Sequence, residues 1–545
     1  MMNNKYGYFK YSDIAFGAKE DIFGFGTFGN VQTGSDITQL SMGVDPYDFA
    51  SFEQGEYITD NPKRLYKGKE KLGYLSSFIS DESGYIYNSG LGANLSFSFR
   101  SYYSASGITI HSRNIIDEIE IIAYRDDEEI TSGTFSATQN QQFYSIPIEL
   151  ANRIEIIIRK IAEPKHFVGI YSIDYGTIRI FDESVYQNVN INQHFSVLGN
   201  TLEYDTLDLS IVDFDNKDYL FQVKQPIEYI ADNNVKARFY INEGKEKNEI
   251  VTDLSCYDAI SNLEDDFLGG IYNNYSAKQL IDDILDGKQI NYEIDESINN
   301  VLLNGYLPIT SRRKALQSVL FGSNIRCYKG DKLYFKPFNA TLETLVLDEK
   351  NIIDKPQKTK KQEIKSVVLK KHNYSKGTES VEVYHWYISK TENVTIRFSQ
   401  PVHSLEAYEV IGVDENGYDI IDTQQTSKVV FIEKEPNYCI VSNISSNKIV
   451  IKGLNYIDST TDYEKKRNIL SVTGYYDDVN FETTISNDPQ AVCDLLYDLY
   501  SRKNSINFVT FENLKIGGYY NILGENLNIK SIKQSLNGLY EVEAV

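Results

Sequence analysis

Along most of the chain apolar residues alternate with polar ones, the period of a half-buried β-strand. "NLSFSFR" puts Leu95, Phe97 and Phe99 on one face, and "RIEIIIRK" does the same with Ile154, Ile156 and Ile158. "EIEIIAY" (118 to 124) and "GITIH" (107 to 111) continue the pattern. Residues 67 to 182 therefore read as several short strands of an antiparallel β-sandwich separated by polar turns. A second β segment, 183 to 268, holds "NTLEYDTLDLSIVDFDNKDYLF", two strands joined at Asp215-Asn216, and "KARFYIN". Residues 341 to 470 return to strands, with a hairpin signal at Asn416-Gly417, a pair that tolerates the positive φ of a tight turn.

Three stretches change the period. In "NNYSAKQLIDDILDGKQ", Ser276 is a good N-cap, Ala277, Leu280, Ile281, Ile284 and Leu285 form one stripe, and Gly287 supplies a left-handed stop. In "NGYLPITSRRKALQSVLFGSNIRCYKGDKLYFKP", Thr310 or Ser311 caps a helix that buries Ala315, Leu316, Val319 and Leu320 and ends at Gly322. Lys329-Gly330-Asp331 then reverses the chain, so that Ile325 and Cys327 share a face with Leu333 or Phe335. Residues 269 to 340 form a helix and helix-hairpin module on this reading. In 471 to 545, Asn487 or Asp488 caps a helix with Pro489 in its first turn and Val492, Leu495, Leu496 and Leu499 buried, followed by closing strands. Residues 1 to 66 are rich in Gly, Phe and Asp with few regularly spaced aliphatics, and read as an irregular docking arm that presents Phe23, Phe25 and Phe28. The expected class is mainly β and multi-domain, a sandwich plus β-barrels with a few short capped helices.

Composition narrows the function. The net charge of -23, from 77 acidic and 54 basic residues, argues against a free-standing nucleic-acid binder, which needs a basic face to displace phosphate counterions. Cys256, Cys327, Cys439 and Cys493 lie far apart without a C-x-x-C pair, and read as buried free thiols. The N-terminus lacks the apolar core of a signal peptide, and no run of 18 apolar residues occurs, so membrane insertion is not expected.

Motifs of chemistry are weak. "GFGTFG" (Gly24, Gly26, Gly29) matches G-x-G-x-x-G, but phenylalanines interleave it and no apolar helix follows to aim amides at a pyrophosphate. "DFDNKD" begins like a calcium loop, yet Asp218 and Lys224 stand where an EF-hand needs Gly and a bidentate acid. His111, His166, His194, His372, His385 and His403 show no metal spacing, and "RDDEE" (125 to 129) reads as a solvated loop. No catalytic residue, cofactor or metal is assigned. The run "KPQKTKKQEIKSVVLKK" (355 to 371) carries seven lysines and one glutamate. It reads either as a linker and edge strand whose lysines discourage sheet pairing, or as a seam against an acidic neighbouring copy. Candidate inter-subunit contacts are therefore Lys358, Lys360 and Lys361, with Arg312, Arg313 and Lys314, and the phenylalanines of the arm. The three cations at a helix start are unfavourably placed for its dipole and call for an acidic neighbour. Tyr85, Tyr87, Tyr102 and Tyr103 are candidates for a sugar platform on the sandwich.

The order of four stretches resembles tail-tip and baseplate hub proteins of phages, prophages and phage-tail-like particles of low-GC Gram-positive bacteria. They are "SASGITIHS" (104 to 112), residues 200 to 221, "YSAKQLIDDIL" with the helix-hairpin stretch, and "LKIGGYYNILGENLNIKSIKQSLNGLYEVEA". The likeness covers roughly 185 to 545 well and 67 to 182 more loosely. It implies a homo-oligomeric ring, commonly a trimer, at the distal end of a tail tube, adapting the tube to a central spike and holding other baseplate proteins. Localisation would be the virion or tailocin particle, assembled in the bacterial cytoplasm. No wall-cleaving domain follows the hub strands in this chain, so no enzyme activity is expected. The rival readings are a receptor-binding tail protein that grips cell-wall carbohydrate through the sandwich, and a cell-wall hydrolase.

Overall fold

Alternation of apolar and polar positions gives strands with one face to bury, and the chain buries them in a mainly β, multi-domain structure. The computed structural model describes residues 7–14, 18, 21–28, 47–48, 71–72, 74–86, 93–212, 221, 223–231, 234–248, 250–288, 290–338, 341–361, 363–388, 393–422, 429–443, 447–467, 477–502, 504–535 and 538–545. Two compact units form: one from Met1–Gln187, Leu209–Asn234 and Tyr240–Cys256, the other from Asn188–Asp208, Val235–Phe239 and Tyr257–Val545.

In the first unit an antiparallel sheet runs in the order Tyr74–Ile79, Phe167–Asp174, Ala93–Ser112, Gln141–Ile161, Ile116–Arg125, Glu128–Phe135. "NLSFSFR" and "GITIH" are parts of one strand rather than two. The buried positions are odd before the bend (Leu95, Phe97, Phe99) and even after it (Ile108, Ile110), because register slips between Ser98 and Gly107 shift the phase. The same device carries Gln141–Ile161 past Leu150, whose φ is +51°. A phase break that looks like a turn in sequence is thus a β-bulge, and both halves of each strand feed one core. Asp126 and Asp127, at φ +49° and +69°, make a tight turn out of the acidic loop.

Part of the N-terminal stretch is regular. Tyr8–Ile14 lies antiparallel between Gly176–Phe181 and Pro226–Ala231, with Tyr11 opposite both Arg179 and Ile227. Phe9 packs on Tyr186 and Tyr229, and Tyr11 on Phe181, at ring separations of 5.4–5.9 Å. Ile22–Phe28, which carries Phe23, Phe25 and Phe28, pairs with Ala93–Ser112. Gly24 and Gly26 therefore sit in extended backbone instead of a phosphate loop. An aromatic-rich, aliphatic-poor segment looks irregular alone because its pairing partners are far away in sequence. The Asp215-Asn216 turn and the calcium-like run lie outside the described residues.

The second unit holds three α-helices among the described residues. Helix α1 (Ala277–Leu285) is capped by Ser276 and buries the five predicted residues, with Gly287 at φ +70°. Helix α2 (Arg312–Gly322) takes Ser311 as its cap. Helix α3 (Pro489–Tyr500) takes Asp488, and Cys493 joins Val492, Leu496 and Leu499 in its buried face while Leu495 stays half-buried. Helices α1 and α2 share a core with the hairpin Ile325–Lys329/Leu333–Pro337, in which Cys327 faces Phe335. Strands Asn504–Thr510, Tyr540–Ala544 and Glu525–Ser535 close a sheet that Asn190–His194 of the strand Tyr186–His194 joins and Gln357–Lys360 edges. A long hairpin, Ile364–Trp386 with Ile449–Lys466, packs against α3 and extends into Val402–Val413 and Asp419–Asp422, joined at the Asn416-Gly417 turn.

Gly322 serves a different end from Gly287. It is the last residue of α2, the left-handed residue being Asn324 at φ +56°, and a Cβ there would meet the Ile485 carbonyl at 2.0 Å. Gly287 has open space around its Cβ position. Gly322→Ala is thus expected to destabilise by about 1–3 kcal/mol through overpacking. Gly287→Ala should cost about 1 kcal/mol through its left-handed backbone alone. Urea denaturation of both variants checks the order, and equal losses would contradict the close-approach role of Gly322.

Candidate functional site

The helix-hairpin module places two cations on one short strand, Ile325–Lys329, and both are buried. Lys329 Nζ lies 2.6 Å from Asp205 Oδ1 and 3.0 Å from Asp258 Oδ2, and donates to the Glu203 carbonyl at 2.6 Å. The carboxylates are satisfied in turn. Asp205 accepts the His194 amide at 2.8 Å, while Asp258 accepts the amides of Asp205 and Ile260 at 2.8 and 2.9 Å. Asp258 thereby caps the 3-10 helix Ala259–Leu263. One cation thus ties the hairpin to residues 203–205 and to the start of that helix.

Burial sets the electrostatics. It pushes the Asp205 carboxyl up, Lys329 pulls it down and Asp258 pushes it up again, leaving it at about 6. Burial also works against the Lys329 ammonium, but the two carboxylates outweigh it and hold the group above its ordinary value. Two acids facing one base leave a surplus negative charge, which a proton on the pair removes. Nearby, burial raises the Cys327 thiol to about 12, so it is an inert packing residue. All four cysteines are free and buried.

Arg326 faces the other way and has no carboxylate partner among the described residues. Its guanidinium donates to the carbonyls of Val197 (3.0 Å), Ile325 (3.0 Å) and Leu198 (2.9 Å), and burial lowers it to about 10. Gly199, at φ +77°, lets the loop close around it, since a Cβ would lie 2.5 Å from Arg326 Nη1.

The cations at the start of α2 are placed as follows. Arg312 Nε reaches Asp265 at 3.0 Å, and its Nη1 donates to the carbonyls of Asp283, Ile284 and Asp286 at 2.5–3.3 Å. It closes the C-terminal end of α1, where carbonyls lack intrahelical partners. Arg313 reaches Glu264 at 2.5 Å, donates to Leu202 and lies over the Tyr204 ring. Asp265 and Glu264 are the acidic neighbours that the helix dipole calls for. Lys314 is exposed.

In the lysine run, Gln357–Lys360 is an edge strand. Lys358 pairs with Glu525, Lys360 is exposed, and Lys361 lines a cavity described below. Lys371 is buried, donates to the carbonyls of His372 and Thr484, and is lowered by burial to about 8. Among the described residues no three acids, cysteines or histidines gather as metal ligands, and no helix is long and apolar enough to cross a membrane. On the first unit the Tyr102 hydroxyl donates to Asp126 at 2.7 Å with its ring about half exposed, Tyr103 packs on Phe99, and Tyr87 lies outside the described residues.

Sequence reasoning placed the hairpin but took Lys329 as part of its turn and missed Arg326 altogether. The available signal was polar residues framed by buried neighbours, Asp205 before "TLDLSIV" and Asp258 after "LSCY". Alternation treats them as surface.

Lys329→Met should destabilise the protein by about 3–5 kcal/mol, because it leaves two buried carboxylates without their counter-charge. For Asp205, the folded value of about 6 exceeds the unfolded 3.8. Its contribution is therefore complete below pH 4 and is lost as pH rises through 6, a change of about 3 kcal/mol. Asp205→Asn should flatten this slope, so the gap between variant and wild-type urea midpoints should change between pH 4 and 7. A gap independent of pH would contradict the assignment.

No family model matches the chain, and no curated protein sequence does. Among solved structures, a prophage tail protein from Listeria monocytogenes is similar at 9% identity and a TM-score of 0.39, over 67% of this chain and 91% of its own. A 43 kDa tail protein of prophage MuSo2 from Shewanella oneidensis gives 9% and 0.38, over 67% and 95%. A tail protein from Neisseria meningitidis gives 10% and 0.33, over 66% and 92%.

Proposed function

We propose that the protein is a structural component of a phage tail or tailocin, acting as a baseplate hub. On this reading it assembles into a ring, a trimer, at the distal end of the tail tube, and contacts tube, spike and surrounding baseplate proteins. Its mechanism is interaction and not catalysis. The order of hub-like stretches in the sequence supports the reading, as does a module whose arginines and buried lysine are spent on internal bracing.

The observation that carries it is an uncovered apolar end of the long-hairpin sheet. Val413 is 63% exposed, Tyr418 73% and Trp386 61%, with Ile411 and Ile420 beside them. Lys448 lies over the Trp386 ring and reaches Asp419 at 3.1 Å, which brings the tryptophan beside the ribbon 410–422. Val413 lies opposite Asp419 and shares its face, while Tyr418 and Ile420 point to the other face. Apolar groups gathered in this way mark an interaction surface. The acidic balance of the chain suits a lumen through which DNA passes without sticking.

A second reading, a tail protein that grips cell-wall carbohydrate, is favoured by one feature. Tyr102 presents its ring while Asp126 fixes its hydroxyl. Selective binding of the full chain on a glycan array would promote it.

Native mass spectrometry of the full chain at micromolar concentration is expected to show three copies. Val413→Asp with Tyr418→Asp should weaken association about tenfold or more, as loss of exposed apolar anchors does, without changing the far-ultraviolet spectrum. Lys360→Glu tests the lysine seam separately, and unchanged assembly would remove that seam. A wild-type protein that stays monomeric would contradict the ring.

A further inference from the structure

The second unit contains a cavity of about 310 Å³, at the small end of the roughly 300–1,000 Å³ typical of small-molecule pockets. One wall is apolar, built from Phe195, Val197, Leu198, Leu499 and Tyr500. The other carries Lys361, Arg502 and Lys530 against Glu203 and Glu543. Val545 lines the same wall beside Arg502, so the wall is distinguished by which of its cations are occupied and not by a net charge. The C-terminal end of α3 reaches the cavity and brings about half a negative charge.

The three cations are not equally occupied. Lys530 is paired with Glu543 at 2.9 Å. Arg502 donates to Asn528 at 2.6 Å and to the main-chain oxygen of Val545 at 3.0 Å. Among the described residues Lys361 has no carboxylate within 4 Å; burial acts most strongly on it, Arg502 and Lys530 repel it, and Glu543 attracts it less strongly from a distance. The balance holds the ammonium below the ordinary lysine range. A half-buried cation beside an apolar wall is a costly arrangement unless an anion joins it.

We propose that this cavity is a binding site for an amphipathic monocarboxylate, with the carboxylate on Lys361 and the apolar body against Phe195, Leu499 and Tyr500. A single carboxylate matches the one lining cation that has no carboxylate partner among the described residues. A phosphate dianion would bring a second charge that no unpaired lining cation meets, because the guanidinium fork of Arg502 already serves Asn528 and Val545. A fully polar anion would leave the apolar wall wet. The site stands apart from the tail reading and depends only on the second unit.

The full chain is titrated calorimetrically with 4-phenylbutyrate and with 4-phenylbutyramide, which differ in the charge alone. The acid should bind, and the amide should bind at least about tenfold more weakly, as one desolvated charge pair requires. Lys361→Gln should weaken the acid about tenfold and leave the amide unchanged, and Lys361→Arg should restore the acid. No binding of the acid, equal binding of acid and amide, or undiminished acid binding by Lys361→Gln would each overturn the site. The acid-amide comparison on the wild type decides the matter even if a variant at position 361 folds poorly.

Discussion

The second unit depends on one buried ion cluster, Lys329 held between Asp205 and Asp258. Removing a charge from water costs several kcal/mol, and attraction offsets this only when the remaining hydrogen-bonding capacity is also used. Here it is: the cation has two carboxylates and a carbonyl, and the carboxylates have three backbone amides. Each partner comes from a segment distant in sequence, so the cluster specifies which segments meet. Apolar packing of α1, α2 and the hairpin then supplies most of the favourable free energy around that fixed point.

The same economy governs the other cations of the module. Arg326 holds the loop 197–199 through carbonyls, Arg312 closes the end of α1, and Arg313 fastens α2 to Glu264. An acidic chain has few cations to place, and here they secure backbone that would otherwise carry unsatisfied carbonyls. That use ties these cations up inside the module, while Lys314 and Lys360 stay exposed.

Local signals in the sequence were legible where they act within a few residues. Ser276, Ser311 and Asp488 cap the helices, the stripes of α1 and α2 face the core, and Asn416-Gly417 turns a hairpin. What sequence obscured was long-range. The bulges that bend Ala93–Ser112 and Gln141–Ile161 mimic turns, and the strand Tyr8–Ile14 has no partner near it. Lys329 looked like a turn residue because its two aspartates lie more than 70 positions upstream. Of the cavity, only the lysine run around Lys361 left a trace.

Hydrogen exchange reads the central brace directly. The amides of His194, Asp205 and Ile260 donate to the two aspartates, so peptides covering them should exchange only as slowly as global unfolding allows. In Lys329→Met that protection should fall first at these peptides. Fast exchange there in the wild type, at a time when α2 remains protected, would contradict the cluster as the fixed point of the fold.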